Sequence, residues 1–270
     1  MADGARRMIL GFRPGPLGEG AAAAAASGAD FVYLPAARPD AAVGADALSV
    51  AACLMSLTPD IGLAAEISTA WQPFNVARAL ASFDLLSRGR CGWSPRPLDG
   101  ESADAPRFRE HLEVVFKLFD SWDDDALVFD KANAVFADRA KVRRIRHAGA
   151  YFTVDGPLNA PRPPQGHPVL IQPLGDATAA TDVALAPFGV ERPASAAGLV
   201  VMEADGADAP ERLKAAFAAG ACDGFLVGGE IDAALSLLGV MGEGRAVADG
   251  GDFRARLGLA RPGIRYGAAA

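Results

Sequence analysis

The chain predicts an α/β fold, a (β/α)8 TIM barrel occupying residues 1–270 as one domain, and three observations carry that expectation. Short apolar runs alternate with helical patterns over most of the length. Those runs number eight, and 270 residues with 51% hydrophobic side chains can bury one large core. The runs are continuously apolar rather than alternating, as strands buried on both faces must be when helices cover a parallel sheet. A doubly wound open sheet shares this pattern; the number of runs favours closure.

Taken in order, "MILGF" (8–12) is the first strand and "GEGAAAAAASGA" its short helix. "DFVYLP" (30–35) is followed by the amphipathic "ADALSVAACLMSL", and "IGLAAEIS" (61–68) by "FNVARALASFDLLSRG", which a glycine closes. "RCGW" (90–93) leads through "SPRPL" into "PRFREHLEVVFKLFDSW". The later strands are "PVLIQP" (168–173), "DVALAP" (182–187), "GLVVMEA" (198–204) and "GFLVGG" (224–229), with "APERLKAAFAAGA" and "EIDAALSLLGVM" as the last helices.

Two places break the rhythm. Residues 123–167 carry acidic, basic and proline-rich parts without a helix of crossover length, and read as an excursion with a hairpin around "IRHAGAYFTV". Between the fifth and sixth strands, "LGDATAATD" is too short for a full crossover helix, so a crossover is trimmed there.

Composition narrows the function. A net charge of −7 without a clustered basic run argues against nucleic acid. No apolar run suits a membrane span, and the start "MADGARRMILGF" breaks at Gly11, Arg13 and Pro14 before a leader's apolar core can form, so a soluble, cytoplasmic protein is expected. Cys53, Cys91 and Cys222 are scattered without CxxC spacing, as reduced thiols would be. His111, His147 and His167 share no metal or triad spacing, and Asp123, Asp124 and Asp125 read as a solvated loop. No metal site is expected and no catalytic residue stands out. Trp71 and Trp93 at strand exits could stack on a ring, although core plugs are the commoner use. Gly228 and Gly229 precede a helix where barrels often bind phosphate, yet Glu230 opposes an anion there.

Four segments are more specific: "PFNVARALASFDLLSRGRCGW", "LFDSWDDDALVFDK", "FTVDGPLNAPRPPQGHPVLIQ" and "FRARLGLARPGIRY". Together they resemble the bacterial-luciferase-like flavin monooxygenases, in the branch of nitrilotriacetate monooxygenase component A and dibenzothiophene sulfone monooxygenase. The resemblance implies a TIM barrel that takes reduced FMN from a separate flavin reductase and uses oxygen to oxidise a small organic substrate. On this resemblance the chain is identified as a shortened, divergent member. The shortening implied after the fifth strand, and around the sixth and seventh, removes a cover over the flavin.

Carried over residue by residue, the resemblance assigns cofactor contacts to Ser68 and Thr69 in "ISTA", to Trp93 and Ser94 at the fourth strand, to Arg107 and to Gln172. Other positions depart from the family pattern. Ala36 stands where a carboxylate is usual, Pro95 and Pro97 remove backbone donors from the fourth strand's exit, and Phe108 replaces a tyrosine. After the fifth strand, "QPLGDATAA" replaces a hydroxyl-rich phosphate cradle. Pro173 lacks a donor there, and Asp176 puts a negative charge near the phosphate position.

Two readings follow. In one the chain is an FMN-dependent monooxygenase with altered flavin-site motifs. In the other it is a cofactor-free barrel, a structural or regulatory subunit, either a homodimer or paired with a full-length relative through the helices at 45–57 and 73–88.

Overall fold

The computed structural model describes residues 6–36, 45–194, 198–245 and 251–266. The chain passes through β1 (Ile9–Phe12), α1 (Ala21–Ala26), β2 (Phe31–Leu34), α2 (Ala47–Leu54), β3 (Gly62–Ser68), α3 (Pro73–Leu86), β4 (Cys91–Arg96) and α4 (Pro106–Phe119). Two small ribbons follow, β5 (Leu127–Asp130) with β6 (Val135–Ala137), and β7 (His147–Ala148) with β8 (Thr153–Val154). Then come β9 (Val169–Pro173), β10 (Val183–Ala186), β11 (Leu199–Asp205), α5 (Pro210–Ala218), β12 (Gly224–Gly228), α6 (Ile231–Gly242) and α7 (Phe253–Arg256).

Eight strands close a parallel barrel in the order β1-β12-β11-β10-β9-β4-β3-β2, with β2 returning to β1. Each falls within, or within a few residues of, one of the eight apolar runs, and α1 to α6 occupy the six helical segments. Alternation along the strands sorts the core into two layers. Ile9, Phe31, Tyr33, Ala64, Val169, Ile171, Val183, Val201 and Leu226 fill the interior, whereas Leu10, Val32, Leu63, Trp93, Leu170 and Phe225 face the helices.

Phe253 of α7 joins the interior layer. A Cβ built on Gly62 would lie 2.4 Å from its ring and one on Gly92 2.8 Å away, so these strand glycines make room for the aromatic plug. Arg254 fixes the plug by a double contact with Asp182, at 2.9 and 2.6 Å.

The exit of the fourth strand is longer than the sequence suggests. β4 continues through Pro95 to Arg96, in register with Ile67 and Ser68 of β3. Its pairing with β9 stops at Trp93, so the N–H that Pro95 lacks interrupts no ladder on that side.

Between β9 and β10 there is one 3-10 turn, Leu174–Asp176, in place of a crossover helix. The excursion carries the expected hairpin as β7–β8, and a second, β5–β6, that the sequence reading missed. The acidic triplet lies in a loop with Asp124 and Asp125 exposed, as expected, and each of its carboxylates is ion-paired. Asp123 is bound by both terminal nitrogens of Arg143, Asp125 by Lys141 at 2.5 Å, and Asp124 by Arg162 and Arg261.

Beside it, fully buried Asp120 accepts from Arg162 at 3.1 Å, meets His167 Nε2 at 2.8 Å, and accepts the Arg265 N–H at 2.9 Å. This clasp ties the end of α4 to the proline-rich segment and to the chain's last described residues.

Candidate functional site

At the carboxyl ends of the strands the interior positions become polar. The strands that read as apolar runs place Tyr33, Glu66, Ser94, Arg96 and Glu203 there, and Arg13 follows directly on β1. These groups contact one another in sequence. Arg13 pairs with Glu203 and lies over the Tyr33 ring at 5.6 Å. The Tyr33 hydroxyl donates to Glu66 at 3.4 Å, Arg96 Nε is 3.3 Å from Glu66, and Arg96 Nη1 donates to Asp99 at 3.3 Å. β12 lies between β11 and β1, so Arg13 and Glu203 meet across it.

Burial controls the protonation of this chain of groups. It raises the Tyr33 phenol well above its usual range, and the neighbouring Glu66 charge raises it further. Burial also lifts Glu66, against the Ala36 N–H, Arg96 and Tyr33, which favour its ionised form. A carboxylate therefore stands beside Ala36 after all, supplied by the neighbouring strand.

The residues assigned from the sequence divide into three groups. Ser94 is buried on the interior face, on the strand next to Glu66. Ser68 lies on the same face of β3, half-buried, accepting the Ala70 N–H at 3.2 Å.

Thr69 and Arg107 form a brace. The guanidinium donates to the Thr69 carbonyl at 2.5 Å and to its hydroxyl at 3.5 Å, while Glu101 holds the same guanidinium at 3.1 Å. Trp93 and Gln172 do not join the interior set, because alternation turns both toward the outer layer. Trp93 packs edge-on against Phe116 of α4 with centroids 6.4 Å apart. Gln172 Oε1 accepts from Thr181 at 2.7 Å, under the turn that replaces the crossover.

That turn bears on the flavin phosphate. Thr178 N–H donates to the Thr181 hydroxyl, Ala180 N–H to the Thr178 hydroxyl, and Thr181 N–H and Ala177 N–H to carbonyls within the turn. Four of the turn's donors, at Ala177, Thr178, Ala180 and Thr181, are thus engaged internally, Pro173 has none, and Asp176 adds negative charge. These residues do not fit a phosphate cradle. At the last strand, Glu230 caps α6 by accepting the Ala233 N–H at 2.9 Å, so the helix start beside Gly229 already holds a carboxylate.

The histidines act singly. His111 is buried, with Nε2 3.0 Å from the Trp71 carbonyl, and burial pushes it down to about 4, so it is neutral. His147 meets Glu110 at 3.1 Å, and His167 belongs to the Asp120 clasp. Among the described residues, no three His, Cys, Asp or Glu side chains cluster as metal ligands, and no helix is long and apolar enough to cross a membrane.

Sequence reasoning missed Arg13, Glu66, Arg96 and Glu203. A signal was present, since Glu66 and Glu203 are the only charged residues within "IGLAAEIS" and "GLVVMEA" and both fall in the interior phase.

The profile of the luciferase-like monooxygenases matches residues 3–186, and the chain belongs to that family. It is 44% identical over 146 residues to dibenzothiophene-sulfone monooxygenase of Rhodococcus erythropolis, a match covering 48% of this chain and 32% of that protein. The chain thus spans about a third of the length of that longer relative. A different proportion holds for one of the pristinamycin IIA synthase subunits of Streptomyces pristinaespiralis, 34% identical over 233 residues, covering 81% of this chain and 79% of that one. In fold the barrel is similar to EDTA monooxygenase from Chelativorans sp. BNC1, with a TM-score of 0.73 at 20% identity over 96% of this chain and 100% of that one.

Proposed function

We propose that this chain is the shorter subunit of a two-chain, reduced-FMN-dependent monooxygenase. Its own barrel holds no flavin, and a full-length luciferase-like chain beside it takes reduced FMN from a reductase and oxygenates a small organic substrate. The observation that carries this reading is the barrel mouth, where Arg13, Glu203, Tyr33, Glu66 and Arg96 take one another as partners at the interior positions a ligand would use. The closed turn at 174–181 supports it, as does a match in length to a relative whose name marks it as one subunit of a synthase.

Pairing through α2 and α3 is supported by apolar side chains left on that side. Leu57, just past α2, is 61% exposed and Leu86, at the end of α3, is 72% exposed. A second reading, a barrel that binds reduced flavin weakly, is favoured by the retained hydroxyls of Ser68 and Thr69 at the exit of β3.

Titration of the purified chain with FMN, read by flavin fluorescence, separates the two. The proposal expects no saturable quenching, together with oxygen uptake only when a full-length relative and a reductase are added. Micromolar FMN binding with reductase-dependent oxygen use by this chain alone would overturn it.

A further inference from the structure

The amino ends of the barrel strands, opposite the mouth, carry a group of arginines that the reading above leaves unused. Fully buried Asp30 lies among them with its oxygens taken, accepting from Arg7 at 2.6 Å, from Arg245 at 2.7 Å and from the Leu10 N–H at 2.9 Å. Arg256 of α7 is placed differently. It is only 4% exposed, and its Nη1 is buried without a hydrogen-bond partner among the described residues. A buried guanidinium left in this way costs stability unless an acceptor reaches it.

Two more arginines stand beside it. Arg90, just before β4, gives Nε to the Ser87 carbonyl and Nη2 to that of Met55, both at 2.9 Å, and Nη1 to that of Thr58. Carbonyls orient the group but leave its charge unmatched. Arg88 is exposed and holds φ at 58°, in the left-handed region that a long side chain seldom enters. Arg88, Arg90 and Arg256 line one cleft of about 760 Å³, together with apolar Met55 and Leu86. Asp60 and Asp252 also line it, the latter already capping α7 by accepting the Ala255 N–H at 2.8 Å. Three positive charges against two negative leave this wall cationic, on a chain whose total is −7. Protonation reflects the crowding. Burial, then Arg256 and Arg88, disfavour the charge on Arg90, and burial, then Arg7 and Arg245, disfavour that on Arg256, with Asp60 opposing both and Asp30 the second.

We propose that this cleft on the barrel floor binds a phosphate group, with Arg256 as its buried contact and Arg88 as its exposed one. A tetrahedral oxyanion has enough acceptor sites to engage guanidinia from separate elements, and its charge offsets the excess that burial makes costly. The cleft lies at the opposite end of the barrel from Tyr33, Glu66 and the turn at 174–181, so the site neither needs nor predicts a flavin in the mouth.

Thermal melts and calorimetric titration of the purified chain with sodium phosphate, with sodium chloride holding ionic strength constant, test this. A saturable rise in melting temperature is expected. Arg256→Met is expected to raise the melting temperature without phosphate, because it removes an unpartnered buried charge, and to weaken phosphate binding at least ~10-fold. Arg88→Ala, at an exposed position, should weaken binding ~2–5-fold with the phosphate-free melt unchanged. Glycerol 3-phosphate identifies the source: binding tighter than that of the free ion marks a small phosphate ester, and equal or weaker binding marks inorganic phosphate. No response beyond that to chloride, a phosphate affinity unchanged in both variants, or a phosphate-free melt lowered by Arg256→Met would each overturn the proposal.

Discussion

The Asp120 clasp and the barrel mouth are built from the same residue types, arginines and carboxylates, yet they differ in what surrounds them. Asp120 and Arg162 have almost no exposed side-chain surface, whereas Arg13 and Glu203 each leave more than a third of theirs in water. In the clasp every charge is matched and several bonds converge on Asp120, so removing one group leaves the others stranded without solvent. At the Arg13–Glu203 pair of the mouth, water screens the charges and can replace a lost partner. The contrast teaches that burial, more than the count of ion pairs, decides whether a charged network holds the fold or merely occupies a site.

The largest effect that would sharpen this contrast comes from Asp120→Ala. It leaves buried His167 without its carboxylate and takes one of the two carboxylates that buried Arg162 holds, and should cost about 3–5 kcal/mol in chemical denaturation. A loss below about 1 kcal/mol would erase the distinction between the two networks.

Acid should separate them next. His111, under the Trp71 carbonyl in the wall of the mouth, titrates near 4 when folded and near 6.5 when unfolded. Its unfolded form therefore binds more protons between those values, and stability falls as pH drops below about 6.5. Asp120 shifts the other way. Although burial disfavours its charge, His167, the Arg265 N–H and Arg162 hold it below the usual carboxylate range, so the clasp's share is lost only below about pH 4. Asp84, lifted to about 6 by burial, opposes the His111 trend between about 4 and 6, so a variant is needed to isolate it. Taking His111→Phe from pH 7 to pH 5 should gain about 2 kcal/mol relative to wild type. Amide exchange at Thr69 and Trp71 should quicken over that range while Arg265 stays protected.

The smallest effect belongs to Glu203→Gln. It breaks the Arg13 pair at a cost below about 1 kcal/mol, a difference that added salt should shrink further in thermal melts. A loss as large as that of Asp120→Ala would mean that the mouth holds the barrel shut as firmly as the clasp does.

Much of the barrel was legible because its strands are buried on both faces and its helices are amphipathic, so each element writes its own pattern. "IGLAAEIS" and "GFLVGG" needed no partner to be recognised as strands. The trimmed crossover could be read from length alone. The β5–β6 ribbon was hidden because it is exposed on both sides, and a strand without a buried face leaves no alternation to detect.

The site divided along the same line. Ser68 and Ser94 were found by resemblance and do face the interior. Trp93 and Gln172, also assigned as cofactor contacts, are turned by the pleat to the outer layer. The ion-pair chain needs Arg13 and Glu203, far apart in sequence, to meet across β12, and only closure of the barrel brings them together.

The missing crossover also has a meaning for how the chain folds. β9 and β10 are joined by little more than the turn at Leu174–Asp176, so their pairing closes a short loop at small entropic cost. The seam between β1 and β12 joins the first and last strands of the barrel, with Ile9 opposite Gly224, and must wait for the strands between them to form. The trimming thus gives the barrel an early-forming arc on one side and a late-closing zip on the other. Under mechanical or thermal load it should open first along that zip.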